Sequence, residues 1–187
     1  MLILGIYKLP EVASVPMSLY KSIQGKYFVG YADNLKFGGG TMAWAGLFNP
    51  PNSGVILYAN VFTATGIGSA PIRVQVWFNA MPQGEPEVSE LVTPSNTALV
   101  PPPVPKVRIL YASNVIGEPV GGIKAFVRRG EPESTLVFEE DGKYLFKPGG
   151  NLLLTISSPE EPERLMEGRL AFGWWEEKIG TFTRSGK

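Results

Sequence analysis

Cysteine and histidine are both absent from the 187 residues. Without cysteine there is no disulfide, no thiolate metal site and no cysteine nucleophile, which suits a reducing compartment. Without histidine the usual general base and the commonest zinc ligand are missing, and with them any Ser-His-Asp arrangement. Aspartate is nearly absent too. Asp33 and Asp141 are its two occurrences, so the clustered Asp and Asn of a calcium loop are not there. Neither sign of charge is in excess, with 17 Lys and Arg against 17 Asp and Glu. The basic field that nucleic-acid binding requires is therefore lacking. Arg128-Arg129, the densest basic pair, reads as a solvated strand end. Near-neutrality also leaves little self-repulsion against association. No run approaches the ~20 apolar residues that span a bilayer. The apolar start, Met1-Leu2-Ile3-Leu4-Gly5-Ile6-Tyr7-Lys8, has no positive n-region and is too short for a signal sequence. It reads as a strand or arm that docks on something. The expectations are synthesis in the cytoplasm, no membrane partner, no nucleic acid, no metal, no cofactor and no catalytic residue.

What is abundant is turn chemistry. There are 22 Gly and 17 Pro, spread without a period through a chain that is 44% hydrophobic. That pattern suits many short strands joined by tight turns. Helical spacing is confined to Ala13–Ile23 and Glu160–Met166, and Pro16 and Pro162 weaken both. Elsewhere the pattern alternates with period two. In "PIRVQVWFNA", Ile72, Val74, Val76 and Phe78 share one face, and Arg73, Gln75, Trp77 and Asn79 share the other. The same logic predicts strands over Lys26–Tyr31, Thr41–Phe48, Val55–Thr65, Lys106–Ala112, Gly122–Arg128, Thr135–Glu139, Lys143–Lys147, Leu152–Ser157 and Arg169–Glu177. With Ile72–Asn79 these make about ten strands, the number expected of a sandwich or barrel.

Three punctuation marks organise these strands. Asp141-Gly142, between two β segments, predicts a two-residue hairpin turn, because glycine takes φ > 0 freely. Glu139 and Glu140 are then strand-end residues. Asn49-Pro50-Pro51-Asn52-Ser53-Gly54 forces a corner before "VILYANVF", a strand apolar on both faces. The corner reads as architecture, with a polar ligand at Asn49, Asn52 and Ser53 as the alternative. Pro101-Pro102-Pro103 and Pro105 enforce an extended stretch over residues 93–105. It reads as a crossover from one sheet to the other. One domain over 1–187, with 1–25 as a docking arm, is the expected organisation.

Motifs with chemical potential are few. Gly38-Gly39-Gly40 is followed by a strand and by no Gly-Lys-Ser/Thr, so it reads as a loop rather than a phosphate cradle. Two glutamates could form a glycosidase pair, yet the sequence singles out no pair. The tryptophans say more. In "RLAFGWWEE", Leu170, Phe172 and Trp174 alternate as a core face, while Trp175 shares the opposite face with Arg169 and Glu177. Trp77 likewise sits among Arg73, Gln75 and Asn79. Large aromatics on a polar strand face mark a covered surface: a subunit interface, a sugar-stacking platform, or a face closed by the same chain. Trp77, Trp175, Arg73, Gln75, Asn79, Arg169 and Glu177 are the interface or ligand candidates.

The stretches "SLYKSIQGKYFVGYADNLKFGGGTMAWAGLFNPPNSGVILYANVFT", "IRVQVWFNA", "ASNVIGEPVGGIKAFVRRG" and "GRLAFGWWEE" together resemble a family from spore-forming Firmicutes grouped as a domain of unknown function. The resemblance covers most of the chain and implies no activity or site. The Asn-Pro-x-x-Ser-Gly corner and the late Trp-Glu strand also resemble phage structural β-sandwich proteins. The expected fold is an all-β, two-sheet antiparallel sandwich of jelly-roll type with little helix. The expected function is a non-enzymatic structural or assembly protein acting as a homo-oligomer, virion- or spore-associated. The alternative is a carbohydrate-binding module that takes a glycan on its tryptophans.

Overall fold

The structure, a computed structural model, describes residues 14–180. One short helix, α1 (Met17–Ile23), precedes eleven strands. In chain order these are β1 (Tyr27–Phe37), β2 (Met42–Phe48), β3 (Val55–Ile67), β4 (Ile72–Phe78), β5 (Glu87–Val88), β6 (Val92–Pro94), β7 (Arg108–Val115), β8 (Ile123–Gly130), β9 (Thr135–Phe146), β10 (Asn151–Ser157) and β11 (Met166–Lys178). They form a five-stranded sheet, β6-β1-β11-β3-β9, and a six-stranded sheet, β5-β7-β2-β10-β4-β8. Every pairing is antiparallel.

The pairings are nested. β1 pairs with β11, β2 with β10, β3 with β9 and β4 with β8. A long ribbon folded at β4/β8 and rolled over itself gives this order, which is the jelly roll expected from the alternation. The tip of the ribbon, between β4 and β8, carries an insertion. Its β6 adds to the edge of the five-stranded sheet, and its β5 and β7 add to the edge of the other. The proline-rich stretch thus runs from β6 in one sheet to β7 in the other. Glu176 of β11 fastens its end: the buried carboxylate accepts the backbone N–H groups of Lys106 and Val107 and the indole N–H of Trp174.

Alternation holds where it was read. Ile72, Val74 and Val76 are buried between the sheets with Leu170, Phe172 and Trp174, and Phe78 packs half-buried against them. The corner at Asn49 is architectural. The buried Asn49 side chain donates to the carbonyls of Val55 at 2.9 Å and Phe146 at 3.1 Å, tying β2 to the start of β3 and the end of β9.

Two expectations need correction. Asp141-Gly142 is not a hairpin turn. Thr135–Phe146 is one strand, and both of its parts pair with β3. Val61 pairs with Glu139 and Ala59 with Tyr144, so Glu140–Lys143 bulge out opposite Asn60 alone. The positive φ is real, at 49° for Asp141 and 73° for Gly142, but it serves a bulge. Glu160–Met166 is turns and bends up to the first residue of β11, because Pro159 and Pro162 interrupt it. Of the arm expected over 1–25, residues 1–13 lie outside the described residues, and the helix read from Ala13 is α1.

Candidate functional site

The two groups of candidate residues lie on opposite outer faces of the sandwich. Arg73, Gln75 and Trp77 project from β4 on the six-stranded sheet. Arg169, Trp175 and Glu177 project from β11 on the five-stranded sheet. No single site contains both tryptophans.

Trp77 is covered by its own chain. With Trp44 and Leu153 it forms a second apolar cluster on the outer face of the six-stranded sheet, packed against Ala80, Ala112 and Val115. The insertion closes this cluster, and Gln83 accepts the Trp44 indole N–H at 2.7 Å. The Trp77 indole donates to Gln75 Oε1 at 3.1 Å, Gln75 donates to Glu118 at 2.8 Å, and the Lys124 ammonium, held by Glu118, lies 4.7 Å from the Trp77 ring centre. The Lys124 and Gln75 hydrogen bonds hold the Glu118 carboxyl below the usual carboxylate range. Asn79 stands apart at the end of β4, where its side chain accepts the backbone N–H of Asn151 at 3.2 Å.

Trp175 is covered by its own chain as well. Its indole stacks on Tyr58 at 5.2 Å and on Tyr27 at 6.4 Å, and the bulge of β9 lies across it at Gly142. Only 4% of Trp175 and 7% of Trp77 is exposed. Neither indole presents the open face that a sugar or a subunit anchor needs. Of the polar neighbours, Gln75 bonds the Trp77 indole directly. Glu177, beyond Trp175, receives a hydrogen bond from Lys21 at 2.5 Å, which latches α1 to β11, and one from Lys26, just ahead of β1, at 2.8 Å. Burial works to raise the Glu177 carboxyl, but these two ammonium groups outweigh it and hold it below the usual range.

What stays open is the middle of the same sheet. A groove of about 500 Å³ crosses β6, β1, β11 and β3. Its floor is made by Ala171 and Gly173 of β11, which alternate outward between the core residues Leu170, Phe172 and Trp174. Val29 and Tyr31 of β1 form one wall with Leu91 before β6, and Val61 and Thr63 of β3 form the other. Val29, Tyr31 and Leu91 are all exposed. Small residues in a strand centre leave a trough because nothing rises from them to meet their cross-strand neighbours. Gly173 has a second constraint: an added Cβ would lie 2.5 Å from the Tyr27 hydroxyl and 2.8 Å from Val61.

Polar groups close both ends. At one, Asn60 donates to the Tyr27 hydroxyl at 2.8 Å. Burial pushes that phenol above its usual range, against the opposing pull of Asn60. At the other, Arg169 grips Asp33 with two hydrogen bonds of 2.9 Å and lies over the Tyr31 ring. The Arg169 hydrogen bonds hold the Asp33 carboxyl below the usual range. Arg169 is therefore the one sequence candidate that borders the groove. The apolar outer face of Val55–Thr65 pointed to part of it; Val29, Ala171 and Gly173 gave no local signal.

The groove has the composition of a contact surface, apolar in the middle and polar at its ends. No group of three or more Asp and Glu among the described residues is placed to hold a metal ion. No helix among the described residues is long and apolar enough to cross a membrane. No curated protein matches the chain, and no solved structure does. The model of one family matches residues 3–181, and the chain belongs to that family, the family of unknown function DUF6143.

Proposed function

We propose that the chain is a non-enzymatic assembly protein that works as a homo-oligomer, and that the outer face of the five-stranded sheet is where a second copy sits. The observation that carries this is the open groove over Ala171 and Gly173, with exposed Val29, Tyr31 and Leu91 on its rim. Contiguous apolar surface with a polar border is the make-up of a protein–protein contact. The balanced charge of the chain leaves the approach of two copies unopposed. The jelly roll itself takes no side, since capsid proteins, lectins and enzymes share it. The spore or virion setting that the sequence resemblance implies is part of this proposal; an antibody against the chain, used on purified spores and phage particles, tests it.

The test of the contact is Ala171→Arg, which fills the trough with a cation. Sedimentation of the unmodified chain at micromolar concentration should show a dimer or larger. The variant should weaken association about tenfold or more, an anchor-sized loss, with an unchanged melting temperature at monomer concentrations. A monomeric unmodified chain ends the proposal.

A further inference from the structure

The groove needs an occupant, and the chain carries an apolar segment of the right character. Leu2, Ile3, Leu4, Ile6 and Tyr7 lie among residues outside the described ones. In an extended conformation Leu2, Leu4 and Ile6 would share one face, matching a trough floored by Ala171 and Gly173. Resting on the assembly reading above, we infer that the Leu2–Tyr7 segment of a second copy fills the groove, so that two chains exchange arms.

Of three observations, the first, reach, identifies the arm as the occupant, while α1 and symmetry favour the arm of a second copy over the chain's own. The connector from Lys8 to Ala13 can extend roughly 20 Å. The described chain starts beside α1, which Lys21 fastens to Glu177 on the strand that forms the groove floor. Glu177 lies roughly 13 Å along β11 from Gly173 at the spacing of a strand. The second is α1 itself. It has seven residues and buries none of them, and a helix that short has no stability of its own. Val15, Met17, Leu19, Tyr20 and Ile23 are all exposed. An arm folded back onto its own groove would leave these side chains bare; a neighbouring copy that receives the arm also covers the helix leading to it. The third is symmetry. Exchange of identical elements about a two-fold axis fills both grooves at once and closes the assembly.

The absence of cysteine makes the test clean. Two single variants, Leu4→Cys and Thr63→Cys, are prepared with different affinity tags, mixed and mildly oxidised. The expected product is a disulfide-linked dimer containing one chain of each tag, and Ala171→Arg in the Thr63→Cys chain should abolish it. A chain carrying both cysteines should link to other chains. If it instead closes on itself as a monomer, the exchange is wrong. Absence of any link, with the unmodified chain still sedimenting as an oligomer, also overturns the arm as occupant while leaving the assembly reading in place. A monomeric unmodified chain overturns both. Removal of residues 1–12 gives an independent measure: the truncated chain should sediment as a monomer, and a truncated chain that remains an oligomer counts against the inference.

Discussion

Gly142 packs directly against the outer end of the Trp175 indole. A Cβ built on this glycine would stand 1.8 Å from Trp175 Cη2, and the residue has φ of +73°. Both facts exclude a side chain. Gly142→Val should therefore destabilise the protein by the strain of a β-branched residue in the left-handed region, on the order of 1–3 kcal/mol, plus the loss from a displaced indole. Denaturant unfolding checks the total. An unchanged midpoint would mean that the bulge does not cover Trp175.

Trp174 and Trp175 point to opposite faces of β11, and both are buried by their own chain. Trp174→Ala should cost about 3–5 kcal/mol, as large core truncations do. Trp175→Ala should also lower stability, by about 2–4 kcal/mol, since it empties the space between Tyr27, Tyr58 and the β9 bulge. Because Trp175 is covered by its own chain and not by a second copy, the loss falls on the isolated fold. Thermal melts of both variants settle the comparison, and a wild-type melt for Trp175→Ala would return that residue to the surface.

Glu176→Ala removes the acceptor for three buried or part-buried N–H groups. Each donor left without a partner costs about 1–3 kcal/mol. The loss should fall on the proline-rich crossover first. Hydrogen exchange at Lys106 and Val107 should accelerate well before global unfolding does. Glu176→Gln keeps one acceptor oxygen and should show a smaller change. Equal protection in the alanine variant and the unmodified chain would disprove the latch.

The Glu177 carboxyl is held below its unfolded value by Lys21 and Lys26. A depressed carboxylate contributes stability that is fully present above the unfolded pKa, about 4.3, and is lost as pH falls through the folded value. Unfolding experiments from neutral pH downward should show that loss. Glu177→Gln should remove the part of the slope due to this latch while lowering stability at neutral pH. The same slope in both proteins would show that Glu177 does not drive the acid loss.

Much of the sandwich was legible because period two reports faces directly. Trp174 inside and Trp175 outside follow from Leu170 and Phe172 alone. The left-handed backbone at Asp141-Gly142 was legible too, but its use was not. A hairpin and a bulge demand the same φ, and the choice depends on β3, which pairs with both flanks of the bulge from far away in sequence. Trp77 misled for a related reason. Its polar neighbours Arg73 and Gln75 mark an outer face, while the cover over that face comes from the insertion, which local alternation does not describe. The groove was least legible. Ala171 and Gly173 are unremarkable in a strand until β1 and β3 stand beside them.

The nested pairing has a consequence for how the chain is made. β1 and β3, among the first strands to leave the ribosome, share one neighbour, β11, the last strand formed. The five-stranded sheet cannot close until β11 has been synthesised. Of the four nested pairs β4 with β8 becomes available first, so the nested ladder should assemble from the ribbon's tip outward. A topology built on such distant partners folds slowly. Until β11 arrives, the edges of β1 and β3 stay open to other nascent chains, and the newborn protein is exposed to aggregation throughout that interval.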